Sequence, residues 1–178
     1  MLEEHVGDAL GLQMEAHRTD DPDEGWRGVR EAIDAGRPAL VQCDLSELPH
    51  WETDTPFNGH RIVVVGYDEE EGIAEVADTH FEGLQRIGLD ELRRARASEA
   101  PPSFGNQFAW WEIIGGEPRE LDEAISRALA CNAEAMTDNA SEIGGLDALA
   151  TFKEEVHQWD DLDDADWCYR FAYQCIEE

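Results

Sequence analysis

The sequence is poorest in positive charge. Lysine occurs once, at Lys153, and Lys plus Arg together number 13 against 42 Asp plus Glu, a formal net charge of −29. A phosphate-binding protein needs a basic face from which counterions are displaced, so nucleic acid is excluded as a partner, and anionic membranes are disfavoured on the same ground. Long apolar runs are also lacking: none approaches the 18 or more residues of a membrane span, and Met1 to Gly11 has neither a basic start nor an apolar stretch of the secretory kind. The protein is therefore expected in the cytoplasm. Cysteine is sparse, and Cys43, Cys131, Cys168 and Cys175 show no Cys-x-x-Cys spacing, which removes the zinc-ribbon and dithiol patterns and leaves free thiols, read as core residues.

What is present points to a folded chain. Hydrophobic residues make up 42% of the sequence and six tryptophans are spread along it, too much apolar surface for an acidic disordered tail. A charge of −29 on a compact body repels itself at ordinary ionic strength, whereas molar salt shrinks the Debye length to about 3 Å, so the composition suits a halophilic cytoplasm. The 178 residues allow one domain with a helical appendage.

Residues Leu2 to Leu10 suit a helix ending at Gly11, and Leu12 to His17 a strand. Asp21-Pro22-Asp23-Glu24 opens a second helix with an Asx cap, an early proline and acids in its first turn; Trp26, Val29 and Ile33 form its stripe and Gly36 stops it. Pro38 to Cys43 is a short buried strand, and Arg61 to Gly66 is too continuously apolar for a wet face, which makes it central. Asp68 to Gly72 turns the chain into Ile73 to Ala77, an antiparallel hairpin. Leu89 to Ala97 is helical and Phe108 to Ile114 a further strand. Beyond Gly115-Gly116, read as a hinge, no strand-like run remains, and helices are predicted at about Pro118 to Thr137, Leu146 to Trp159 and Asp163 to Ile176. The expected organisation is an α+β domain at 1–116 and a helical region at 117–178. Trp110 and Trp111 are read as packing, one inward and the other under the helical region.

The chemistry concentrates in the hairpin. His60 stands at the start of one strand and Asp78 at the end of the next, so antiparallel pairing brings an imidazole beside a carboxylate. That is how a nucleophile's general base is oriented, the carboxylate fixing the tautomer and stabilising the charged form. Alternatively, His60, Asp78 and His80, with His50 on a nearby loop, gather as zinc ligands, which would make a metal-dependent hydrolase. Cys43 is a poor nucleophile, because Asp44 and an apolar setting both raise a thiol's pKa.

The segments Gly36-Arg37-Pro38-Ala39-Leu40-Val41, Gly59-His60-Arg61-Ile62-Val63-Val64-Val65-Gly66-Tyr67-Asp68 and Val76-Ala77-Asp78 resemble the His-and-Asp half of a papain-like cysteine peptidase fold. More narrowly they resemble the family of the butirosin-biosynthesis H protein, whose helix after these segments is similar to Ile87 to Arg96 and whose helical domain of unknown function is similar to Leu121 to Ile176. The resemblance implies a papain-like antiparallel sheet flanked by helices and an acyltransferase that works through a cysteine acyl-enzyme. The family's named member moves an aminoacyl unit from a carrier-protein thioester to an aminoglycoside amine. On that template His60 is the general base and Asp78 its orienter, no cofactor is called for, and the partners are an acyl carrier protein thioester and a small amine.

Nothing before His17 is a cysteine, so no residue here matches the family's nucleophile, and the chain is expected to start after that segment and to stop before the family's glycine-rich end. Three functions follow: an acyltransferase or its remnant, a non-catalytic binding domain of the same fold, and the metal-dependent hydrolase. A sheet without its central helix also leads to an expected homodimer or partner protein over the apolar face.

Overall fold

The computed structural model describes residues 2–101, 108–137 and 144–177. Two compact units divide the chain, Met1–Pro118 and Arg119–Glu178.

The first unit is built on one six-stranded, wholly antiparallel sheet. Its strands are β1 (Leu12–His17), β2 (Ala39–Cys43), β3 (His60–Asp68), β4 (Ile73–Ala77), β5 (Gln85–Gly88) and β6 (Trp110–Gly116), arranged β1-β6-β2-β3-β4-β5. Helices α1 (Leu2–Leu10), α2 (Pro22–Asp34) and α3 (Leu89–Ala97) flank it. The α+β class expected from the sequence is the observed one.

Strand periodicity assigns the faces. Cys43 pairs with His60, Val41 with Ile62 and Ala39 with Val64, while Val64 pairs with Val76, so alternate residues of three adjacent strands share one side. That side, with Trp110 opposite Val41, carries the core together with Val29 and Ala32 of α2 and Leu92 and Ala95 of α3. β3 is interior to the sheet, as its continuous apolar run requires. On the other face, Trp111 lies opposite Leu40 and is fully buried; the Arg61 guanidinium lies 4.9 Å over its ring, and Arg61 Nε donates to Glu3 of α1 at 2.6 Å. Trp111 thus packs beneath a residue of its own unit.

α2 starts as its sequence prescribes: Asp21 accepts from the amides of Asp23 (2.9 Å) and Glu24 (3.3 Å), and Gly36 at φ 76° ends the turn that follows. Two glycines in the helix, Gly25 and Gly28, have a packing reason. A Cβ on Gly28 would lie 2.1 Å from the Trp110 ring, and one on Gly25 would lie 2.5 Å from Cβ of Phe108. Helix propensity has been sacrificed for close approach to the start of β6.

Three expectations are corrected here. Gly115-Gly116 is no hinge: both residues belong to β6 and pair with Gln13 and Leu12, Gly116 adopting φ 109°. Phe108 is outside β6 because its φ of 54° interrupts an extended run. β5 escaped the sequence reading; it is an edge strand with a single buried apolar residue, Ile87, so it carries almost no periodic signal.

The second unit is helical, with α4 (Leu121–Thr137), α5 (Gly145–Glu155) and α6 (Ala165–Glu177), the last two joined through a 3₁₀ segment at Val156–Asp161. The reading of its cysteines as core is wrong for Cys131, which is exposed, and Cys168 is only half-buried; the side chain of Cys175 lies outside the described residues.

Candidate functional site

The pairing that makes the sheet also assembles the candidate site. His60 opens β3 on the core face, and Asp78, one residue past β4, continues the alternation of Ala74 and Val76 onto that face. His60 Nε2 lies 2.9 Å from Asp78 Oδ1 and 3.0 Å from Oδ2. The two sequence-predicted residues are therefore in contact.

Two more donors reach the same carboxylate. His50 Nε2 lies 2.9 Å from Oδ2, and the Trp51 indole N–H donates to Oδ2 at 2.8 Å. The amide of Thr79 donates to Oδ1 at 2.7 Å, so Asp78 accepts from three side chains and one backbone amide. Its side chain is wholly hidden from solvent. Burial is the largest single influence on the Asp78 carboxyl and would raise its pKa. The hydrogen bonds from Trp51, His50 and His60, with the His60 charge, together outweigh it and hold the carboxyl below the usual carboxylate range. An ionised carboxylate only accepts, so each imidazole must present a protonated Nε2 to it.

The loop carrying His50 and Trp51 is tied down by Asp44. Asp44 Oδ1 accepts from the Ser46 amide (3.0 Å), the Ser46 hydroxyl (2.9 Å) and the Phe57 amide (3.0 Å), while Oδ2 accepts from Ser98 Oγ at 2.6 Å. Backbone bonds from Asp44 to Ala95 and from Leu45 to Phe57 close the same loop. The Trp51 ring then stands edge-on to His60 (5.4 Å between centroids), His80 (5.0 Å) and Phe81 (5.3 Å), forming an aromatic wall around the carboxylate.

With Nε2 of His60 engaged, Nδ1 is the nitrogen left to exchange a proton, and it makes no hydrogen bond among the described residues. A neutral His60 holding its proton on Nε2 offers a bare Nδ1, the form a general base requires. Cys43, the register partner of His60, does not serve as its nucleophile. The thiol is buried and contacts the His60 carbonyl at 3.9 Å, and burial, followed by the charge of Asp78, pushes its pKa well up.

The zinc alternative finds no support, since among the described residues no group of three His, Cys, Asp or Glu side chains is arranged to hold a metal ion. His50, placed by the sequence on a nearby loop as a further candidate ligand, is instead a hydrogen-bonding partner of Asp78. Trp51 was missed altogether. Its one cue was position, beside His50 in a loop leading to the site.

Residues 1–79 match the family described as butirosin biosynthesis protein H, N-terminal, and residues 90–178 match a domain of unknown function, DUF4872. No curated protein matches the chain. Among solved structures, a chain described as a C39-like peptidase from Bacillus anthracis is similar at 14% identity with a TM-score of 0.39; the alignment covers 60% of this chain and 54% of that one.

Proposed function

We propose that this chain, which belongs to the butirosin biosynthesis protein H family, carries the imidazole and carboxylate of a thiol-dependent acyl-transfer site, with His60 as general base and Asp78 as its orienter. The observation that carries the reading is the engagement of His60 Nε2 by Asp78, which leaves Nδ1 as the proton-accepting nitrogen.

In the proposed reaction, Nδ1 takes the proton of a cysteine thiol and the thiolate attacks the carbonyl of an acyl thioester. A carbon–sulfur bond forms to the enzyme, the donor's carbon–sulfur bond breaks, and the proton on Nδ1 leaves with the departing thiol. A small amine then attacks the acyl-enzyme; Nδ1 removes the amine proton and returns it to the cysteine sulfur as the amide forms. Asp78 balances the imidazolium at each transfer without taking the proton itself. An acyl carrier thioester and a small amine are the partners this scheme requires, and it assigns the nucleophilic thiol to a residue outside the described site.

A second reading is a non-catalytic binding domain of the same fold. It is favoured by Cys43, the one cysteine of the first unit, being buried with a raised thiol pKa. The two readings separate by intact-mass analysis of the natively expressed protein after incubation with an acyl-pantetheine thioester, followed by a primary amine. Acyl transfer reads as an acyl adduct that the amine discharges as an amide, with both steps slowed about 10²-fold or more in His60→Ala. An intact fold with no adduct, or an adduct indifferent to His60→Ala, overturns the acyl-transfer reading and leaves the binding domain.

A further inference from the structure

Two imidazoles share one carboxylate, and geometry separates their roles. His50 and His60 both direct Nε2 at Asp78, but their other nitrogens differ. Nδ1 of His50 is buried and without a partner among the described residues, whereas Nδ1 of His60 is not among the buried unpartnered atoms. Placing a proton on Nδ1 of His50 would bury an unpaired N–H together with a second positive charge, whereas leaving it bare costs only an unfilled lone pair. The buried Nδ1 is also closed to any reacting thiol or amine.

We propose that His50 is a positioning residue: a neutral imidazole that donates its Nε2 proton to Asp78 Oδ2 and, together with Trp51, fixes the carboxylate so that His60 alone exchanges protons. This rests on the acyl-transfer reading for its purpose but not for its test. The pinned loop supports it, because Asp44 holds the segment on which His50 and Trp51 approach Asp78. The titratable groups around the carboxylate are His50 and His60 in direct contact, His80 beyond the Trp51 ring, and the Cys43 thiol, which senses the charge of Asp78. Since His50 and Trp51 are among the donors that keep the Asp78 carboxyl low, removal of the His50 donor moves that carboxyl back toward the ordinary range.

The test uses the intact protein and ring-nitrogen and carboxyl-carbon NMR. His50 is expected to show one protonated Nε2 and one bare Nδ1 near neutral pH. His50→Leu raises the Asp78 titration midpoint, and His50→Gln, whose amide nitrogen can stand where Nε2 stood, restores it. If the protein transfers acyl groups, His50→Leu lowers kcat roughly tenfold with KM little changed, and His50→Gln recovers most of the loss. A doubly protonated His50 ring at neutral pH would overturn the assignment, as would an Asp78 titration that His50→Leu leaves unmoved. Should His50→Leu fail to fold, the native ring signature still decides. Because the NMR readouts need no turnover, absence of acyl transfer sinks the functional reading alone, while the NMR outcomes above sink the role given to His50.

Discussion

The two units use apolar residues in opposite ways. The first gathers Val29, Val41, Ile62, Val64, Val76, Leu92 and Trp110 into a single cluster in which a sheet face and two helices cover each other. The second forms helices whose stripes stay in view. Leu121, Ile125 and Leu129 follow one another at four-residue spacing on α4 and are 66%, 48% and 65% exposed, and among the described residues of the unit only Ala124 is buried. Its visible cohesion is a partly exposed ring cluster of Phe152, Trp159 and Tyr169. The lesson is that a 3.6-residue period is enough to predict a helix but says nothing of what answers its apolar face.

The contrast is open to direct attack. Truncating Trp110 to Ala empties space between α2 and β6 and is expected to cost about 3–5 kcal/mol in denaturant unfolding, while Leu129→Ala on the exposed stripe stays within about 0.5 kcal/mol. Equal effects would show that the stripe is covered in solution. Gly28→Ala is a subtler probe of the same packing. Helix propensity alone favours alanine by about 1 kcal/mol, yet the added methyl meets the Trp110 ring at 2.1 Å, so a net loss of about 1–3 kcal/mol is expected in the same assay.

The smallest effect is chemical. Native alkylation should label Cys131 quickly and spare Cys43 until the chain unfolds, read by mass after proteolysis. Because the folded state holds the Cys43 thiol neutral by burial, its contribution to stability is complete below the free thiol's pKa of about 8.5. It declines as pH rises beyond that, where only the unfolded chain ionises. A flat stability across that window would show that Cys43 reaches solvent.

Much of the first unit was legible because local and global signals agree there. The cap at Asp21, the proline at Pro22 and the stop at Gly36 describe α2 completely, and the apolar run from Ile62 to Val65 reads as an interior strand. The contact of His60 with Asp78 followed from hairpin pairing alone. What was hidden depends on distance in sequence. Gly25 and Gly28 look like poor helix formers until Phe108, just before β6, and Trp110, its first residue, pack against them, and Gly115-Gly116 looks like a break until β1 pairs with it. His50 and Trp51 sit in a loop without periodicity, and only tertiary folding brings their ring nitrogens to Asp78. In the second unit helices were expected at about the right places, but the exposure of Cys131 was not, since periodicity carries no information about burial.

The Asp44 side chain has a consequence for whatever meets this site. By gripping Ser46, Phe57 and Ser98 at once, one carboxylate gathers both ends of the loop and an adjoining segment. The conformational entropy of that loop is therefore lost when the protein folds rather than when a ligand arrives. A substrate approaching His60 finds the Trp51 wall already standing, so its affinity is not reduced by having to order the loop, and its encounter should be closer to docking on a rigid surface than to closing a lid.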